Sequence, residues 1–145
     1  MRQLRDTLDM DGTFSVARMY LGRELVAQHQ PQEGVEQFEY LRQASSMRNN
    51  MGDLGWAYAE AGRRDDALAE IAAFEAIAAT QYVPNIAFAR IHAGLRDDEK
   101  AIEWLNKAIA AREAVVPLIR NEPHFRHLHG DPRFAEILDR VGLPP

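Results

Sequence analysis

Cysteine is absent from the 145-residue chain. Disulfides, thiolate metal sites, iron–sulfur ligation and thiol nucleophiles go with it. Serine is scarce: Ser15, Ser45 and Ser46 are the three present, and none lies in a Gly-x-Ser-x-Gly turn of the kind that exposes a nucleophile. A phosphate-cradling glycine loop, a dinucleotide fingerprint and a His-Glu-x-x-His pair are all missing. Long apolar runs are missing as well. The longest charge-free stretch, between Glu75 and Arg90, spans 14 residues and contains Pro84, where a membrane span needs about 20. Residues 1–10 carry Arg2, Arg5, Asp6 and Asp9 with no apolar run behind a basic start, so no secretory leader is expected. Basic charge is not in surplus either. With 17 Lys+Arg against 22 Asp+Glu the net charge is −5, which argues against nucleic acid as the main partner, because phosphate binding needs a basic face. The expectation is a cytoplasmic protein with no membrane or nucleic-acid partner and no cofactor.

Alanine and leucine dominate what is there, β-branched residues are sparse, and apolar positions recur at steps of three and four. That is the helical period, and it predicts an all-α fold. Helices are expected over 67–79, opened by Asp65-Asp66, over 100–111, opened by Asp97-Asp98-Glu99, and over 133–141, opened by Asp131-Pro132 and closed by Gly142. Helix capping accounts for these paired acids without acid–base catalysis, and the chain is not expected to be an enzyme. A longer period lies above the helical one. Gly22, Gly55 and Ala89 are spaced 33 and 34 residues apart, and so are Gly34, Ala67 and Ala101. Leu21, Leu54 and Phe88 precede the first set, while Phe38, Ile71 and Leu105 follow the second by four residues. Small residues at such positions allow two antiparallel helices to approach closely.

In this pattern the chain resembles the tetratricopeptide repeat family, whose unit is a 34-residue helix–turn–helix. The middle copy carries Leu54-Gly55, Tyr58, Gly62, Ala67 and Ile71; the first has Leu25 for the tyrosine and Gly34 for the alanine, and the third has Ala89 for the glycine and His92 for the tyrosine. The segments Leu118 to Asn121, Pro123-His124-Phe125 and Asp131-Pro132-Arg133-Phe134 to Pro144 resemble the C-terminal end of bacterial multidomain regulators, in which such an array follows a winged-helix, kinase or cyclase domain. The resemblance implies a right-handed α-solenoid of three repeats over 15–115 (15–47, 48–81 and 82–115) with a C-terminal cap over 116–145. In the cap, Phe134, Ile137, Leu138 and Val141 form one apolar stripe. Residues 1–14 read as the remnant second helix of a preceding repeat, which leaves an N-terminal face open to a missing part of a longer protein or to a second copy in a homodimer.

The resemblance further implies that the first helix of each repeat lines a groove that binds a protein or peptide. Register places Met19, Arg23 and Val26, then Asn49 and Trp56, then Ile86 and Arg90 on that face. Arg23, Trp56 and Arg90 share one register position and form a row suited to a ligand with a carboxylate and an apolar or aromatic anchor. The structural alternative is that Trp56 covers the neighbouring helix and the arginines pair with Asp53 or Glu60. A lysine and asparagine clamp for a peptide C-terminus is absent, its places being taken by Met19, Arg23, Asp53, Val83 and Ala87. Two other readings stay open: a helical metal-binding or enzymatic protein using His124, His127 and His129, which fall within six residues, and an internal scaffold for a missing N-terminal domain.

Overall fold

The computed structural model describes residues 15–44 and 52–143, and every regular element among them is helical. Helices α1 (Ser15–Ala27) and α2 (Pro31–Ala44) form a first pair, α3 (Asp53–Glu60) and α4 (Arg64–Ala78) a second, and α5 (Asn85–Gly94) and α6 (Asp98–Ala110) a third. Two 3-10 turns, Val116–Asn121 and Pro123–Leu128, lead to α7 (Pro132–Arg140). No helix among the described residues is long and apolar enough to cross a membrane. The expected remnant helix over 1–14, with its open face, and the groove residue Asn49 lie outside the described residues.

The three pairs close in the same way. His29, Gly62 and Arg96 take left-handed φ values of 64, 78 and 59°, and they sit 33 and then 34 residues apart. In each turn the next amide reaches back across the helix end: Gln30 N–H to the Leu25 carbonyl at 2.8 Å, Arg63 to Tyr58 at 2.8 Å and Asp97 to His92 at 3.0 Å. Such bonds satisfy carbonyls that the last helical turn would otherwise leave bare. The period read from side chains is therefore also a period of the backbone. Because the chain re-enters a helix directly after each left-handed residue, α4, α6 and α7 start ahead of the expected 67, 100 and 133. Asp97 and Asp131 do cap, accepting from the backbone N–H groups of Lys100 and Arg133. Asp65 and Asp66 lie inside the first turn of α4, and Asp66 takes Arg63 Nε at 2.8 Å.

All twelve positions of the long period are buried. A Cβ on Gly22 would stand 2.7 Å from the Phe38 ring of the partner helix α2, as the close-approach argument requires. Gly55 differs, because its tightest neighbour is Ile91 of α5 at 2.7 Å, with Glu70 of its own partner helix at 3.3 Å. This glycine mainly admits the next pair. Packing otherwise runs between sequence neighbours, with α1 against α3 and α3 against α5 forming a layer of first helices. The second 3-10 turn returns to that layer and touches both α1 and α5. Phe125, Leu128, Phe134, Ile137 and Leu138 from the C-terminal segment join Ile86, Ala89, Ala93 and Leu105 in one core cluster; Val141 of the expected stripe is half-buried.

Gly52, just before α3, has φ 88°, and a Cβ there would lie 2.6 Å from the Ala87 carbonyl oxygen. Gly62 has a similar φ and open space around it. Gly62→Ala is expected to cost about 1–2 kcal/mol for the left-handed backbone. Gly52→Ala carries the same penalty plus about 1–3 kcal/mol of overpacking. Urea unfolding of the two variants measures the difference, and equal losses would remove the role given to the Gly52–Ala87 contact.

Candidate functional site

The face of the first helices is where the expected site residues gather, and it is largely closed. Met19, Val26 and Ile86 are buried, Trp56 is 2% exposed and Arg90 is 3% exposed. Arg23 is the one described member that is half-buried. What covers the row is the chain itself: Glu122 and His124, brought back by the 3-10 turns. Arg90 Nε and Nη2 donate to Glu122 Oε1 at 2.9 and 2.5 Å. The His124 ring packs on Trp56 with centroids 4.2 Å apart and planes tilted by 53°. A carboxylate and a ring, the two ligand features the row was expected to select, are thus supplied by the C-terminal segment. The row is not open to solvent as a free groove floor would be. The arginines pair internally, Arg90 with Glu122 and Arg23 with Asp53.

Asp53 is the centre of this arrangement. It is fully buried at the start of α3, where the helix dipole favours a negative charge. Arg23 Nε lies 3.1 and 3.2 Å from its two oxygens, and His124 Nε2 lies 2.5 Å from Oδ1. Burial pushes the carboxyl upward, but His124, Arg23 and Arg90 outweigh burial and hold it below its ordinary 3.8. Burial pushes the His124 imidazole below its ordinary 6.5, with Arg90 adding to the effect and Asp53 and Glu122 opposing it. The charges then balance: two carboxylates against two guanidiniums, with the imidazole neutral. A neutral ring donating through Nε2 leaves Nδ1 as a lone pair. That atom sits 3.5 Å from Glu122 Oε1 and has no hydrogen-bond partner among the described residues, as is also true of Trp56 Nε1 and Glu122 Oε2.

The other histidines face elsewhere. His127 Nε2 meets Asp98 at 2.8 Å at the start of α6, and His129 Nε2 donates to the Arg120 carbonyl at 3.0 Å while its ring stacks on Phe134. No group of three metal-ligating side chains converges among the described residues. His92, in the tyrosine position of the third pair, is buried in α5, and burial lowers its pKa as well.

Open surface remains on both sides of the returning segment. One cleft of about 600 Å³ is lined by Tyr20, Arg23, Leu118 and Arg126 among others, and a second of about 610 Å³ by Tyr82, Ile86, Leu118 and Arg112 among others. Tyr20, Tyr82 and Leu118 were not among the expected site residues. A large apolar or aromatic residue reads alike in sequence whether it is covered or left bare. No protein-family model, curated protein or solved structure matches the chain.

Two outcomes follow from the buried row. Trp56→Ala leaves a cavity costing about 3–5 kcal/mol, and Arg90→Ala strands a buried carboxylate at a cost of about 3–5 kcal/mol. Against a total stability of about 5–15 kcal/mol, the double variant is expected to lose cooperative unfolding by circular dichroism; a sharp melt would show that the pair is peripheral. The second outcome concerns pH. Because the folded pKa of His124 is lowered, the unfolded chain binds the extra proton first, so stability is full above about 6.5 and falls as pH drops toward the folded value. His92 acts in the same direction, and Asp53 adds a loss only below 3.8. Urea midpoints at pH 7.5 and 5.5 should differ less in His124→Gln, whose amide can still donate to Asp53, than in the native chain. An unchanged difference would leave His92 or other groups responsible.

Proposed function

We propose that this chain is a helical-repeat interaction module of the tetratricopeptide kind, a right-handed solenoid of three helix pairs with a C-terminal cap, which binds a peptide or partner helix. The observation that carries the reading is the recurrence of one left-handed turn at His29, Gly62 and Arg96, joined to packing in which α1, α3 and α5 share a layer. Solenoids of this type present such a layer to partners. Here the floor of the layer is occupied in cis, so binding falls to the clefts beside it, where Tyr20, Tyr82 and Leu118 are 56, 62 and 61% exposed. Exposed aromatic and large aliphatic side chains in one place mark interaction surfaces better than scattered ones do. Neither a nucleophile nor a converging metal set stands in these clefts among the described residues, and recognition suits them better than chemistry does.

The test uses peptides selected from a random phage-displayed library on the full-length chain. Their affinity, measured by calorimetry, is expected to fall at least about tenfold in Tyr20→Ala with Leu118→Ala, while the melting temperature stays within the range of exposed substitutions. Failure to select any peptide, or selected peptides indifferent to both changes, would sink the reading.

A further inference from the structure

The two clefts are not independent, because both are lined by Val115 and Leu118. Leu118 is therefore a ridge between them, with one exposed tyrosine on either side: Tyr20 in the first and Tyr82 in the second. The charges lining these clefts differ in how they are used. Every carboxylate is engaged from within. Glu24 accepts Gln28 Nε2 at 2.7 Å, and Glu122 holds Arg90. Glu113 takes the backbone N–H groups of Asn85 and Ile86 at 2.6 and 3.0 Å, capping α5 from the far side of the cleft, as well as the Tyr82 hydroxyl.

The cations divide otherwise. Arg23 and Arg90 are consumed by Asp53 and Glu122. Arg126 in the first cleft and Arg112 in the second make no side-chain hydrogen bond or ion pair with a described residue. Each cleft thus offers an exposed tyrosine, a share of the Leu118 ridge and one guanidinium without a carboxylate to meet it. In a chain of net charge −5, this is a locally positive, apolar surface.

We propose that the paired clefts receive an acidic partner segment, lying across Leu118, whose apolar side chains pack against Tyr20 and Tyr82 and whose carboxylates reach Arg126 and Arg112. This rests on the interaction-module reading and adds the chemistry of the partner to it. Guanidinium forks suit carboxylates in geometry as well as charge. Rim charges of this sort act chiefly on association and on salt dependence.

The same library-selected peptides test it. Enrichment in Asp and Glu beside aromatic or leucine residues is expected. So are weaker binding from 0.1 to 1 M salt, as the Debye length falls from about 10 to about 3 Å, and a loss of at least about tenfold in Arg112→Glu with Arg126→Glu at unchanged melting temperature. Selected peptides that are basic or neutral, or that ignore the charge reversal while still requiring Tyr20 and Leu118, overturn the acidic partner and leave the module reading intact. Indifference to all four residues overturns both. A dimer by light scattering that Leu118→Glu dissolves gives the surface to a second copy, and an affinity gain in full-length Leu4→Glu with Leu8→Glu gives it to residues 1–14; either result overturns the proposal.

Discussion

The Asp53 carboxylate, buried between Arg23 and His124, is the contact on which the arrangement of the other elements depends. It joins α1 to α3, and through His124 it draws the C-terminal segment onto the same layer, where Glu122 then reaches Arg90 of α5. A carboxylate cannot be left in such a place without partners, since removing water from a lone charge costs several kcal/mol. The partners must therefore arrive together, and they come from four separate stretches of chain. Gly52 makes the position reachable, because its left-handed backbone and missing side chain let the start of α3 sit against Ala87.

Buried ion pairs seldom add much net stability over apolar groups of the same shape. The bulk of the driving force lies in the two large apolar clusters, one centred on Phe38, Trp56 and Ile91 and the other on Leu105, Phe125 and Phe134. The polar centre decides which surfaces those clusters bring together. With Phe125, Leu128, Phe134, Ile137 and Leu138 all buried, at roughly 1.5–3 kcal/mol for each large side chain, the returning segment is part of the core rather than a loosely held tail. A partner competing for the Arg23, Trp56 and Arg90 row would have to displace that core. The clefts around Leu118 carry no such cost, and this is why the functional reading moves to them.

Much of the fold is legible in the sequence because it follows from local rules. Gly22, Gly34, Ala67, Ala89 and Ala101 are small where helices meet, and Asp97 and Asp131 cap where a helix must start. The finer points escape because they depend on what arrives from elsewhere. Gly55 is in register with Gly22 but mainly serves the next pair. His29 and Arg96 adopt the left-handed turn that glycine takes at position 62, and nothing in their side chains announces it. Asp53 reads as a groove-edge acid, a partner for an arginine, and that pairing is found; its complete burial and its bond to His124, 71 positions away, have no local signature.

Sequence by itself determined the helical class, the period of 33 and 34 residues, the small positions that allow close packing and the apolar face of the last helix. These are properties of neighbouring residues and their spacing, and no distant contact is needed to define them. Only the tertiary structure decided that Glu122 and His124 fill the place prepared for a ligand, that the Arg23, Trp56 and Arg90 row is buried, and that Tyr20, Tyr82 and Leu118 stay bare. Burial is set by what packs against a residue, and in this chain that is settled where the C-terminal segment folds back across α1, α3 and α5.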